Sequence, residues 1–286
     1  MGCVKLHILD EQYKNTELRV SYFNKKLTPN FCAENLRSNI LLKYIDPDGN
    51  FPILVNGRVG NNSERGSATY WNAGVLSTIS TQTGYAQSEF MFVDGDKGLW
   101  ANTRLNAGIT QGTADAAGVF ARLKGSMVDG QITEQLQFVT HSRGSEFGNG
   151  YMQGLSAEVQ KLAAEEGIGF AYGADNIVKY SVNLAPHQSN WINYPNSGAT
   201  NVNVSHIGDP FSGNDATGNV INVHSIPFRD SGPITQHSTG SFIRELGFIL
   251  NVLENFPPSS FLQAIKAAYE NYDASRTNGD RSNVTP

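Results

Sequence analysis

Thr140-His141-Ser142-Arg143-Gly144 is the stretch of this sequence whose residue types and spacing could do covalent chemistry. The apolar run at residues 136–140 reads as a strand leading into it. Residues 146–166 lead away as a long segment whose second half reads as a helix, closed by Gly167. A serine on such a sharp strand-to-helix turn has its hydroxyl exposed at the sheet edge, and the crowded turn wants small residues two positions to either side. Gly144 meets that need and Thr140 is a tighter fit. A helix beginning near Ser145 aims its amide N–H groups and its positive dipole end at the serine, which makes the Arg143 backbone N–H an expected oxyanion donor. The competing reading of Ser142 is a plain helix N-cap.

A serine hydroxyl is a poor nucleophile until an imidazole takes its proton, and the imidazole in turn needs a carboxylate to fix its tautomer. His187, His206, His224 and His237 are the bases on offer. His206 reads as lining or packing the site and His224 as sitting on a short strand, while His237 lies in a Gly/Ser/Thr-rich loop ahead of a helix and fits best. Asp209 ends the apolar run 202–207 and is preferred to Asp215 and Asp230, although a turn Asp before Pro210 is the bland alternative. His141 is expected to support the turn. Gly95, in the loop after the apolar run 89–93, is expected to give the second oxyanion donor.

Other chemistries find less support. No H-E-x-x-H occurs, and the glycines of residues 144–150 lack the Lys-Ser/Thr of a phosphate loop, so neither a metal site nor a nucleotide cofactor is expected. Cys3 and Cys32 cannot make a four-ligand zinc site, and their pairing is not inferable. With 21 Lys+Arg against 26 Asp+Glu and no basic stripe, the chain lacks the electrostatic footprint of a nucleic-acid binder. Its 39% hydrophobic content fills a substantial core, and with only 16% charged residues it does not read as disordered. No apolar run approaches the roughly 18–20 residues needed to span a bilayer. Nothing at the N-terminus reads as a signal peptide, so the default location is cytoplasmic.

The elements that would carry the site alternate. Strands are expected at 89–93, 136–140, 177–184, 202–207 and 220–223, and helices at 114–128, within 146–166 and at 242–253. Residues 51–85 and 190–201 are loop-rich and unplaced. Strands separated by helices argue for an α/β fold, a mainly parallel sheet with helices on both faces. The chain divides near residue 50, into an N-terminal segment at 1–50 and a domain at 51–286.

Two resemblances add to this reading. Residues 138–144 resemble the elbow of α/β-hydrolases, especially lipase-like members. Residues 181–187, His206-Ile207-Gly208-Asp209-Pro210 and Gln236-His237-Ser238 are similar to the strands and loop that follow it. The family order of nucleophile, acid and histidine then implies Ser142, Asp209 and His237 as a triad, acting on a lipid or other carboxylic ester through an acyl-serine without a cofactor. A lid within 186–201 would offer Trp191 and Tyr194 to the substrate and allow transient contact with a membrane surface. An inactive binding or cell-contact module on the same fold, or a peptidase or amidase with the same triad, are the alternatives. Separately, Lys43-Tyr44-Ile45-Asp46-Pro47-Asp48-Gly49 resembles the end of the core in Rhs/YD-repeat polymorphic toxins, which implies an effector module after a short core-like segment, exported by a specialised secretion system. Oligomeric state is not legible.

Overall fold

The computed structural model describes residues 50–196, 198–212, 214–225 and 233–255, together with Ala264. The expectations for residues 1–49, both cysteines among them, lie outside the described residues, as does the rival acid Asp230.

One sheet holds β1 (Asn50–Asn56), β2 (Met91–Asp94), β3 (Gln135–His141), β4 (Val178–Leu184), β5 (Thr200–His206) and β6 (Val220–Ser225). Their order is β6-β5-β4-β3-β1-β2, and every neighbouring pair is parallel. The chain runs outward from β1 to β2, then returns past β1 to β3, so the winding reverses between β1 and β3. In open α/β sheets a crevice forms at such a reversal, beyond the carboxyl ends of the strands.

The helices α1 (Ala73–Thr83), α2 (Ala101–Leu123), α3 (Gly144–Glu166) and α4 (Ile243–Asn255) flank the sheet. Val75 and Ile79 of α1 and Leu246 and Leu250 of α4 pack with Leu54, Val139, Val182 and Val204 on one face. Val119 and Phe120 of α2 and Phe147, Tyr151 and Leu155 of α3 pack with Phe51, Ile53, Val55 and Phe138 on the other. This is the expected α/β architecture, with helices on both faces.

Three departures from the sequence reading have physical causes. Strand β1 lies in a stretch that reads as loop-rich, and it carries Pro52, a residue disfavoured in central strands. Here β2 joins β1 only from Ile53 onward, so at Pro52 the strand is still an edge on that side and the missing N–H is tolerated. Helix α1 sits in the same unplaced stretch; the Asn72 side chain caps it by accepting from Gly74 N, and Gly84 closes it at φ 79°. Helix α2 starts at Ala101, well before the expected 114, and its first buried positions are Ala101, Arg104, Gly108 and Gly112, which give no apolar period. Those glycines instead let two backbones touch. A Cβ on Gly108 would lie 2.0 Å from the Phe147 carbonyl oxygen of α3, and one on Gly150 would lie 2.0 Å from that of Leu105.

A register shift between Leu136 and Gln137 resets the alternation of β4, turning Ser181 and Asn183 away from the α1/α4 face. Thr140, Asn183, Asn203 and Asn222 then stand in register across β3, β4, β5 and β6. Thr140 Oγ1 lies 2.7 Å from Asn183 Oδ1, and Asn203 Nδ2 donates to Asn222 Oδ1 at 3.4 Å. Tyr194, in the connection from β4 to β5, donates its hydroxyl to Asn203 Oδ1 at 3.1 Å. Among the described residues no helix is long and apolar enough to cross a membrane.

Candidate active site

Strand β3 ends at His141 and α3 begins at Gly144, so Ser142 occupies a two-residue turn. Its φ is 55°, a left-handed conformation that is costly for a residue with a side chain. The turn is held from several sides: Ser142 N donates to Leu184 O at 2.9 Å, and Ser142 O accepts from Ser145 N and His187 N. Close approach demands glycine on either side. A Cβ on Gly57, in the loop after β1, would lie 2.7 Å from Ser142 Cβ, and one on Gly144 would lie 2.5 Å from Asn56 O. Thr140 fits where a smaller residue was wanted because Gly148, one turn into α3, leaves room for its methyl group; a Cβ there would meet it at 2.8 Å.

The other two residues reach the same place from different elements. Asp209 follows β5 through Gly208, which has φ 89°. His237 follows the one-turn helix Pro233–Gln236 and precedes α4. His237 Nε2 lies 2.7 Å from Ser142 Oγ, and His237 Nδ1 lies 2.7 Å from Asp209 Oδ2. The carboxylate only accepts, so Nδ1 carries the proton and Nε2 presents its lone pair to the serine hydroxyl. Asp209 also accepts from Ser212 Oγ at 2.6 Å and Phe211 N at 2.8 Å. Burial alone would raise the pKa of Asp209, but these hydrogen bonds outweigh it and hold the carboxyl below its usual range.

The rival groups lie elsewhere or are otherwise engaged. His224 is on β6 with Asp215 2.6 Å from its Nε2. His206 is fully buried. His187 is near the triad, but burial, with Arg104 and Arg143 adding to it, lowers its pKa to about 4. Arg143, the N-cap of α3, has its guanidinium 3.7 Å from Asp96, and its backbone N–H is one of the helix-end donors that find no partner within the helix. Gly95 follows β2, where a Cβ would meet Asn56 O at 2.5 Å and the Gly144 Cα at 2.8 Å. Strand β1 separates β2 from β3, so the loop against the Ser142 side chain begins at Gly57, which the sequence reading did not identify.

Trp191 is exposed, whereas Tyr194 is 1% exposed, packed with Ile192 and Ala216, and bonded to Asn203. The expectation that Tyr194 faces substrate gives way to a packing role, because the connection it belongs to lies down on the polar row of the sheet. Leu99, Trp100, Trp191, Ile207, Phe211 and Ile234 are exposed large apolar side chains, in segments that follow β2, β4 and β5 or precede His237. The Phe211 ring meets the His237 ring edge-on at 5.3 Å between centroids. Below the turn, burial raises Glu146 to about 7, against the Asn149 hydrogen bond and the Arg104 charge. No three His, Cys, Asp or Glu side chains gather as metal ligands among the described residues.

The layering, the reversal in the sheet and the elbow at its carboxyl edge are α/β-hydrolase-like. No family model matches the chain, and no curated protein matches it. Among solved structures, a cutinase from Trichoderma reesei is 11% identical, with 85% of this chain and 99% of that chain covered and a TM-score of 0.35. A cutinase-like protein from Cryptococcus sp. is 16% identical over 72% of this chain and 97% of that one, with a TM-score of 0.31. Phospholipase PlaB from Legionella pneumophila is 11% identical over 56% of this chain, with a TM-score of 0.33; the match spans 38% of that protein's length. Similarity this low adds nothing to the geometry above.

Proposed function

We propose that this protein is a serine hydrolase of carboxylic esters, acting through an acyl-serine intermediate with Ser142 as nucleophile, His237 as base and Asp209 as its carboxylate. The observation that carries the reading is the unbroken line from Ser142 Oγ to His237 Nε2 and from His237 Nδ1 to Asp209 Oδ2, each 2.7 Å, at a strained turn. As Oγ attacks the ester carbonyl carbon, His237 Nε2 takes its proton. The oxyanion that forms is met by the Arg143 N–H and by the loop that begins at Gly57. The C–O bond then breaks, and His237 returns the proton to the departing alcohol. Water, deprotonated by the same nitrogen, cleaves the acyl-serine to the free acid. Asp209 stays ionised throughout and stabilises the imidazolium.

The exposed apolar residues around the site favour an ester presented at a lipid surface, with contact to that surface through Trp100, Trp191, Phe211 and Ile234. The effector role and specialised export rest on the sequence resemblance of residues 43–49, and we extend the proposal to them on that ground alone.

The test is intact-mass spectrometry after exposure to a fluorophosphonate. A single adduct on Ser142, absent from Ser142→Ala and His237→Ala, is expected; folded wild-type protein without an adduct would leave the inactive-module reading in its place. Matched ester and amide substrates separate an esterase from an amidase. Polar replacement of Trp100, Trp191 and Ile234 should lower turnover of emulsified tributyrin about tenfold or more while leaving p-nitrophenyl acetate hydrolysis within about twofold. Equal losses on both substrates would remove the lipid-surface part of the proposal.

A further inference from the structure

His237 comes from a segment outside the sheet, yet its imidazole must stay within hydrogen-bond reach of two groups that the sheet delivers. Two buried histidines bear on that problem. His141 Nε2 lies 2.7 Å from the backbone oxygen of His237, and His206 Nδ1 lies 2.9 Å from the backbone oxygen of Gln236. A carbonyl oxygen only accepts, so both ring nitrogens carry protons: His141 is the Nε2–H tautomer and His206 has its proton on Nδ1. His141 is the last residue of β3, directly before Ser142, and His206 is the last residue of β5, three before Asp209.

We propose that His141 and His206 are positioning residues for the base, each donating a ring N–H to one of the two consecutive carbonyls at residues 236 and 237. The strand that delivers the nucleophile and the strand that delivers the acid thereby each hold the backbone of the third member. The two rings differ at their second nitrogen: that of His141 is hydrogen-bonded, whereas Nε2 of His206 is buried without a hydrogen-bond partner among the described residues. His141 Nδ1 accepts from the Tyr70 hydroxyl at 2.5 Å, and the Tyr70 oxygen packs against Gly57, in the loop against Ser142, where a Cβ would lie 3.0 Å from it. Burial keeps His141 neutral, with a pKa lowered to about 3, so no second positive charge arises beside the imidazolium formed in each turnover. The His206 ring stacks on Phe242 with centroids 4.0 Å apart, and its Nε2 stands 3.7 Å from Glu245 Oε1. Displacing a catalytic group by about 1 Å costs roughly 100-fold in rate, so a clamp of this kind acts on kcat.

The proposal rests on the triad reading and is tested by crossed substitutions. A glutamine places its amide nitrogen near the reach of a histidine Nε2, and an asparagine near that of Nδ1. His141→Gln and His206→Asn therefore keep the donor, whereas His141→Asn and His206→Gln withdraw it. With p-nitrophenyl butyrate the first pair should keep kcat within about fivefold of wild type, and the second should lose about 30-fold or more, with KM unchanged and the rate of fluorophosphonate labelling falling in parallel. Equal losses within each pair, or losses confined to KM, would overturn the proposal. A second measurement needs no variant: long-range 1H–15N spectra of the wild-type histidine rings should show Nε2–H at His141 and Nδ1–H at His206, and the opposite tautomer at either would overturn it as well. Wild-type protein that fails to label at Ser142 would remove the triad reading and this proposal with it; labelled wild type without the crossed pattern removes this proposal alone.

Discussion

Ser142 carries the conformational cost of the site. At φ 55° a side chain is strained, typically by about 1–2 kcal/mol, and glycine is not. Ser142→Ala and Ser142→Gly both abolish the hydroxyl and its hydrogen bond to His237, so the difference between them isolates the strain. The glycine variant should unfold at a temperature about 2–4 °C above the alanine variant, while both fail to label with fluorophosphonate. Equal melting temperatures would mean that the turn stores no strain. The three residues singled out by type and chain order meet within hydrogen-bond distance, because a serine between a strand and a helix, an Asp after an apolar strand and a His before a helix are local signals. Gly57 carries no such signal. Its need for glycine comes from a strand that is its neighbour in space and lies more than 70 residues away in sequence, which only the sheet order reveals.

At the scale of elements, the elbow is only as well placed as the helix that follows it. Helix α3 is fixed against α2 by backbone contact at Gly108, Gly112, Gly150 and Gly154, where a single added methyl would overlap a carbonyl oxygen. Gly108→Ala should therefore push the helices apart and destabilise the protein by about 1–3 kcal/mol, despite alanine's better helix propensity. Gly118→Ala, on the same helix with nothing within 4 Å of the added carbon, should be neutral or slightly stabilising. Urea unfolding of the two variants checks this, and equal effects would show that helix contact is not what the glycines serve. The same packing explains why the first half of α2 was illegible as a helix. Apolar periodicity detects large side chains facing a core, whereas this half faces its neighbour with Gly and Arg. Strand β1 escaped for a different reason, since the exemption of Pro52 depends on where β2 begins. The strands β2 to β6, whose apolar runs are bounded by turns, were readable to within a few residues.

For the whole molecule, buried ionisable groups set how stability varies with pH. Near pH 5.5 the unfolded chain has His141 and His187 protonated and Glu146 ionised, whereas the folded protein has both histidines neutral and Glu146 protonated, with pKa values near 3, 4 and 7. The unfolded state thus binds two protons at the histidines and the folded state one at the glutamate. The net difference of one makes stability rise with pH by roughly 1.4 kcal/mol per unit between about pH 5 and 6. Removing the glutamate's opposing contribution changes the slope. Glu146→Gln should steepen it to about 2.7 kcal/mol per unit and should raise stability above pH 7, where the wild type must bury an ionised carboxyl. Denaturant unfolding at pH 5, 6 and 8 reads both effects, and parallel curves for the two proteins would place the Glu146 pKa in its ordinary range.

The polar row through Thr140, Asn183, Asn203 and Asn222 has a consequence for how the site is assembled. Apolar strands buried on both faces can slide past one another by two residues with little change in what they bury. A row of hydroxyl and amide groups matched across four strands cannot, because each orphaned group would cost about 1–3 kcal/mol. The row works as an alignment key. Thr140 is two residues before the nucleophile and Asn203 is six before the acid, so a chain that satisfies the key has brought the ends of β3 and β5 to their working heights before His237 arrives.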